Sequence, residues 1–467
     1  MNAVSETGIA GLQEVKTFAT DPAAIGLRTV VIGANALDDL MSVVDSLLVG
    51  PRRTVLLVMD AVQYRRCGQD LKDLVASRLS TRHLVRRAVL GGDTPQRRVH
   101  ADETTLAFLY YAARGADLLV TVGSGTLVDL GKAAAAQRDL PHVVVQTAAS
   151  VNGFADDQSV LLRDGAKRTT PTRWPDALLV DADVIRDAPV SLNAAGVGDL
   201  LSMFVAPADW LLSSALGLGA RYSSELVDLV RVHGPRLLSL ARDIENGAPE
   251  ALLDLTRLLT LSGLTMGAAG CTSPSSGSEH VISHLLEMRL GSRSAWHGAQ
   301  VGVATVVASA LWARVRAHLR TGEIRCHIPE TDVARARVLS AFADLEPKGR
   351  TAEECWNAYS RKLNWLRSHA GHLEAFLGDW SRIDSEVDRL LVTPEQLTSA
   401  LHDTPIPLRF GDLGPQYDRP TVAWAVANAH LMRDRFTVAD LADLLGIWNH
   451  GDVEALLDGL AQLGAGA

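Results

Sequence analysis

The sequence predicts a two-part protein, a doubly wound α/β half followed by a half built from helices. Three observations carry this reading. Short apolar, β-branched runs alternate with helical patterns up to residue 185. Beyond residue 199 the chain turns rich in Leu, Ala and Arg at i, i+3, i+4 spacing, with hardly a β-branched run. And 467 residues, 47% hydrophobic and 21% charged, suffice for two domains with ample cores.

In chain order, "RTVVIG" (28–33), "TVLLVMD" (54–60), "HLVRRAVL" (83–90), "DLLVTVGSG" (117–125), "HVVVQT" (142–147) and "DALLVDADVI" (176–185) read as strands. Several are apolar throughout, as strands buried on both faces of a parallel sheet require. "ADETTLAFLYYAARGA" (101–116) has helical spacing between two of them. The segment "DAPVSLNAAGVGD" (187–199) marks the change of character, placing an α/β domain at 1–188 and a helical domain at 189–467. Helices are expected over most of the second half, with "DTPIPLRFGDLGPQYDRP" (403–420) as a long surface loop.

Composition narrows the function. A net charge of −9 provides no footprint for nucleic acid or an anionic membrane, and the clusters "VRRAVL" (85–90) and "PQRRVH" (95–100) read as solvated faces. Four scattered cysteines without C-x-x-C spacing fit a reducing compartment. The N-terminal stretch lacks the pattern of a signal peptide, and no long uncharged apolar window is evident, so a cytoplasmic protein is expected.

Four stretches can carry chemistry. "VTVGSGTLVDLGK" (120–132) sets Gly123 and Gly125 after a buried strand and before a helix, with Ser124 and Thr126 as hydroxyl donors. Such a turn brings backbone N–H groups to a pyrophosphate, or simply joins strand to helix. The third fingerprint glycine is absent, Val128 standing there. Asp60 ends a strand, where a carboxylate either binds an adenosine ribose, favouring NAD over NADP, or is merely exposed. "QTAASVNGFADD" (146–157) offers Thr147 and Ser150 in a loop of small residues. "SEHVISH" (278–284) puts His280 and His284 one helical turn apart, and His297 follows in "WHGAQVGV". These three imidazoles are either metal and substrate ligands or ordinary histidines close in the chain.

In this order, G-S-G-T-x-x-D, T-A-x-S-x-x-G-x-A, A-G-x-G-D, S-G-S-E-H-x-x-x-H and H-G-x-x-V-G resemble the sn-glycerol-1-phosphate dehydrogenases, members of the superfamily of dehydroquinate synthases and iron-containing alcohol dehydrogenases. The motif-dense part runs from 117 to 305. The resemblance implies a Rossmann-like domain, an all-helical domain and a metal in the cleft between them. It carries the metal ligands to Asp199, His280 and His297, and makes His284 a substrate contact. One carboxylate and two imidazoles suit zinc, nickel or iron, zinc first. For NAD or NADP it implies Asp60 at the adenosine end, Gly123, Ser124, Gly125, Thr126 and Leu127 on the pyrophosphate, and Thr147, Ser150 and Asp156 on the nicotinamide side. Lys167, flanked by Arg163 and Arg168, matches a basic position that either reaches a substrate phosphate or is a solvated turn.

The chain departs from the family pattern at four places. Asn152 replaces an aspartate that touches substrate, Asp156 a serine, Met203 a lysine, and Gln300 a glutamate. Asp156 and His284 become the candidate proton relays, because Asn152 cannot take a proton. The resemblance therefore implies a metal- and NAD(P)-dependent reductase or dehydrogenase acting on glycerol phosphate or a related small polar alcohol or ketone, most simply as a homodimer; the composition adds the expectation of no nucleic-acid or membrane partner. The alternatives are a dehydroquinate-synthase-like synthase or lyase using NAD transiently, a catalytically altered relative in specialised metabolism, and a non-catalytic relative.

Overall fold

A computed structural model describes residues 12–19, 21–91, 99–321, 324–346 and 348–467. Residues 95–98 of the basic stretch "PQRRVH" lie outside them. The strands are β1 (Thr29–Gly33), β2 (Thr54–Asp60), β3 (Arg65–Arg66), β4 (Gln69–Asp70), β5 (Leu84–Leu90), β6 (Leu118–Gly123), β7 (His142–Gln146), β8 (Gln158–Arg163), β9 (Ala166–Pro171) and β10 (Ala177–Asp181). Six of them form one parallel sheet in the order β1-β10-β7-β6-β2-β5. β3–β4 and β8–β9 are two-stranded ribbons that the sequence reading did not anticipate.

Strand β2 and strands β6, β7 and β10 are buried almost throughout, as their unbroken apolar runs require. Edge strand β5 differs, its Arg86 and Arg87 standing exposed. Such charges on an edge discourage pairing with another sheet. The predicted strand at 176–185 stops at Asp181, because that side chain accepts from the Asp183 amide and caps helix Ala182–Asp187. Helices Leu40–Leu47 and Leu71–Ser80 cover one face of the sheet, and Glu103–Ala112 and Gly125–Arg138 cover the other.

The chain forms two compact units. One comprises residues up to Arg163, Lys167–Val197 and Pro235–Cys271; the other comprises Asp164–Ala166, Gly198–Gly234 and Thr272–Ala467. The 188/189 boundary drawn from sequence separates α/β from helical character, whereas packing places the Pro235–Cys271 segment in the first unit. Helix Pro249–Ala269 packs on β1 and on helix Ala182–Asp187. Gly263 lets the same helix approach the loop after β7, since a Cβ there would stand 2.4 Å from the Asn152 carbonyl oxygen.

In the second unit, helices Ser278–Leu290 and His297–Arg320 pack against each other. Among the described residues two helical stretches, Val190–Ala215 and His297–Arg320, are long and apolar enough to cross a membrane; 83% of each apolar window is buried inside the protein. The expected surface loop at 403–420 is irregular apart from a short 3-10 turn, Phe410–Leu413, and its last two residues, which already open helix Arg419–Asn428; it is pinned by buried Ile406, Phe410 and Tyr417.

Candidate metal centre and nucleotide-binding turn

Within the second unit, three separate chain positions meet. Asp199 lies at the end of helix Val190–Leu200, His280 in the first turn of helix Ser278–Leu290, and His297 at the start of the next long helix. Glycine makes the meeting possible. A Cβ on Gly198 would stand 2.2 Å from the Gly298 carbonyl oxygen, and one on Gly302 would stand 3.0 Å from the Gly198 Cα. The two helix backbones thus touch where Asp199 and His297 are carried.

The ligand geometry follows. Asp199 Oδ1 lies 3.4 Å from His280 Nε2 and 3.8 Å from His297 Nε2, and one atom from each residue lies within 4.8 Å of the others. Ligands about 2.1 Å from a tetrahedral ion stand about 3.4 Å apart, so the spacing fits a divalent cation. Each imidazole is also held from behind. His280 Nδ1 faces Glu279 Oε1 at 2.9 Å, and His297 Nδ1 faces Glu287 Oε1 at 3.3 Å. A carboxylate on Nδ1 keeps the proton there and leaves Nε2 free to ligate. Neither glutamate was singled out in the sequence. The available signals were Glu279 immediately before His280 and Glu287 one turn past His284.

Burial works against charge on His280, but Asp199 and Glu279 outweigh it and hold its pKa up to about 9. A divalent ion would satisfy the same carboxylates. Behind Glu279 lies a second buried carboxylate, Asp209, which accepts from the amides of Ser278 (2.7 Å) and Val438 (2.8 Å). Burial, with Glu279 adding like charge, pushes Asp209 up to about 7. Gly277 makes room there, since a Cβ would stand 2.6 Å from Asp209 Oδ2.

His284 is buried and stacks on the His297 ring, with centroids 5.2 Å apart and planes 24° apart. With Glu287 and His297 it forms a second potential ligand group sharing His297. Met203 is buried in the 3-10 turn Leu201–Phe204, just past Asp199. Buried Gln300 donates to the Ala295 carbonyl at 3.1 Å, and its Oε1 has no hydrogen-bond partner among the described residues.

The first unit contains the glycine turn. β6 ends at Gly123, Ser124 is the N-cap of helix Gly125–Arg138, and its side chain makes no capping bond. That helix end is open to an anion. A Cβ on Gly123 would stand 2.2 Å from Leu127 Cδ1, and one on Gly125 would stand 3.0 Å from Val151 Cγ2. The close packing assigned to a third fingerprint glycine falls instead to Gly131, whose Cβ would stand 2.5 Å from Thr121 Oγ1. Chain order in the sheet reverses between β2 and β6, and ligands of open parallel sheets bind outside the carboxyl ends at such a point. Asp60 ends β2 and Gly123 ends β6, so both sit there. Asp60 is not bare, because Lys72 Nζ lies 3.1 Å from its Oδ1 and Tyr64 donates to its Oδ2 at 2.9 Å.

Thr147 and Ser150 are buried in the loop after β7. Asn193 supports that loop, accepting from the Ala149 amide and donating to the Ile185 carbonyl, both at 2.9 Å. Asn152 donates to Ser262 Oγ at 3.1 Å. Asp156, expected as a proton relay, is engaged elsewhere. Its Oδ1 lies 2.5 Å from Nζ of Lys132, a fully buried cation that also reaches the carbonyls of Gly153 and Gln158 and Asp129 at 3.5 Å. Burial pushes the Asp156 carboxyl up to about 7, with Lys132 pulling it back. Lys132 itself keeps its proton, since burial opposes the charge but Asp156 and Asp129 more than restore it. Lys132 was missed in the sequence; the D-x-x-K spacing from Asp129 was its signal. Lys167 lies half-buried on β9 and adds a weak pull on Asp129, while Arg163 is exposed.

Comparison with known proteins bears on family and fold. Residues 31–189 match the family model described as iron-containing alcohol dehydrogenase. A glycerol-1-phosphate dehydrogenase (NAD(P)+) of Bacillus velezensis is 29% identical over 88% of this chain and 90% of its own length. One from Bacillus subtilis is 31% identical over 74% of this chain and 83% of its own length. Among solved structures, a probable glycerol dehydrogenase from Sinorhizobium meliloti aligns with a TM-score of 0.58 at 18% identity, covering 94% of this chain and 97% of that one, a likeness of fold. With relatives of this similarity, the chain belongs to the glycerol-1-phosphate dehydrogenase family.

Proposed function

We propose that this chain is a metal-dependent NAD(P)(H) oxidoreductase interconverting a small phosphorylated ketone and its alcohol. The observation that carries the reading is the convergence of Asp199, His280 and His297, each imidazole backed by a glutamate. Asp199, His280 and His297 would hold one divalent ion, and their donor set suits zinc. When bound, the ion supplies Lewis acidity at the substrate oxygen, and the nicotinamide supplies or takes the hydride.

The chain's own residues do the rest. The open helix end at Ser124–Leu127 binds the pyrophosphate, and the buried Thr147–Ser150 stretch lies on the nicotinamide side. His284, buried one turn beyond His280, is the residue placed to move the alcohol proton. Asp156 is committed to Lys132, which favours His284 over it. Asn152 orients substrate by hydrogen bonding and takes no proton. Lys167 is the candidate for the substrate phosphate.

The test has two arms on the purified protein: metal content by elemental analysis, and oxidation of NADH and NADPH with dihydroxyacetone phosphate and a panel of phosphorylated and plain ketones. One divalent ion per chain with turnover of a phosphorylated ketone is the expected result. A protein that retains no metal and turns over none of them would overturn the reading.

A further inference from the structure

We propose that Lys72 and Tyr64 set the cofactor selectivity of this chain, by neutralising and occupying Asp60 so that the end of β2 accepts a ribose carrying either a 2′-hydroxyl or a 2′-phosphate. The inference rests on the nucleotide-binding reading above. A lone carboxylate at this strand end acts twice, accepting both ribose hydroxyls of NAD and repelling the 2′-phosphate of NADP. Asp60 is poorly placed to do either.

Consider its charge first. Lys72 Nζ lies 3.1 Å from Asp60 Oδ1 and also reaches the backbone carbonyls of Asp60 and Val62. Three ammonium protons meet three acceptors, so the cation is fixed in place. The two side chains are 9% and 13% exposed, too little for water to screen the pair from each other. Lys72 is the second residue of helix Leu71–Ser80, where a cation opposes the helix dipole. Asp60 and the two carbonyls, rather than the helix, account for its position. Carboxylate and ammonium sum to zero, and an incoming phosphate meets a short dipole instead of a net negative charge. An unpaired Asp60 about 5 Å from a phosphate would discriminate by more than ~100-fold at an effective dielectric of about 20. The pair brings that down to about tenfold or less.

Consider next its hydrogen bonds. A carboxylate has about four lone-pair sites. Oδ1 already accepts from Lys72 and from the Val62 amide at 3.1 Å, and Oδ2 accepts from Tyr64 at 2.9 Å. One site remains, enough for one ribose hydroxyl and not for two. The gain that would favour NAD is halved along with the penalty against NADP. Burial, and then Asp60, push the Tyr64 phenol far above its ordinary value, so it donates at every working pH.

The experiment is calorimetric titration of NADH and NADPH, which differ only in the 2′-phosphate, against the wild-type protein and the variants Lys72→Met and Asp60→Asn. Wild type is expected to bind the two within about tenfold of each other. Lys72→Met exposes the Asp60 charge and should move the ratio at least tenfold toward NADH. Asp60→Asn leaves Lys72 to attract the phosphate and should move it toward NADPH; this variant decides the matter if Lys72→Met does not fold. Wild-type preference for NADH beyond about 100-fold, or ratios unmoved in the variants, would overturn the role of Lys72 while leaving nucleotide binding intact. Failure of wild type to bind either nucleotide would instead remove the underlying reading.

Discussion

Glu279→Gln should weaken metal binding more than Glu287→Gln, and both should do so without unfolding the protein. Glutamine keeps the shape of each side chain and can still accept the Nδ1 proton, so what is lost is the negative charge behind the imidazole. Losing such a partner commonly costs 10- to 100-fold in metal affinity, about 1.4–2.7 kcal/mol. The structure ranks the two. Glu279 is fully buried and 2.9 Å from His280, whereas Glu287 is partly exposed and 3.3 Å from His297, where Ser283 also reaches Nδ1. The expected losses are near 100-fold for Glu279→Gln and near tenfold for Glu287→Gln. The fold should tolerate the first change, because removing the Glu279 charge relieves its repulsion of buried Asp209. Chelator competition measures affinity, metal stoichiometry is read alongside, and thermal melting checks folding. Equal affinities in both variants and wild type would refute the reasoning. So would two ions per chain with one lost in Glu287→Gln, which would make His284, Glu287 and His297 a second site.

Three further outcomes are expected. Asp156→Ser should cost about 3 kcal/mol in urea unfolding, the low end for a broken buried ion pair, because Lys132 keeps Asp129 and two carbonyls; a loss of turnover without loss of stability would return Asp156 to the proton-relay role. His142 is fully buried, and burial, then Lys132 and Arg173, hold its pKa down to about 3. A depressed folded pKa contributes stability above the unfolded value of about 6.5 that is lost as pH falls toward 3, about 2.3 kcal/mol between pH 6.5 and 4.5. His142→Asn should flatten the stability–pH curve in that window, and superimposable curves would refute it. Asn152→Asp should raise kcat/KM on dihydroxyacetone phosphate with NADH from a weak wild-type level; wild-type turnover of roughly 10⁴ M⁻¹s⁻¹ or better would mean that Asn152 serves as well as the aspartate.

Much of the fold was legible because its signals are local. Unbroken apolar runs marked β2, β6, β7 and β10, since a strand covered on both faces has no polar side. The ribbon β8–β9 escaped because "QSVLLR" and "AKRTTP" are mixed in polarity, and it is packing of β8 on helix Gly125–Arg138 that holds the ribbon in place. At the candidate metal centre, Asp199, His280 and His297 were named from motif order, while Glu279 and Glu287 were not, because any acidic residue on a helix reads as solvated until its neighbours are known. Asp60 and Asp156 mislead in the same way. Each reads as an available carboxylate, and each has a lysine on it, 12 and 24 positions away in the chain.

By itself, then, the sequence determined the alternation of strands and helices and the glycine turn after β6, both of which depend on spacing along the chain; Asp199, His280 and His297 were candidates through the order of motifs that resemble a family. The tertiary structure decided which carboxylates are free to act. It paired Asp60 with Lys72 and Asp156 with Lys132, and it set Glu279 and Glu287 behind the two imidazoles. The reason is electrostatic. The availability of a buried charge depends on the counter-charge within a few ångströms and on the water excluded around it, and neither is a property of neighbouring residues in the chain.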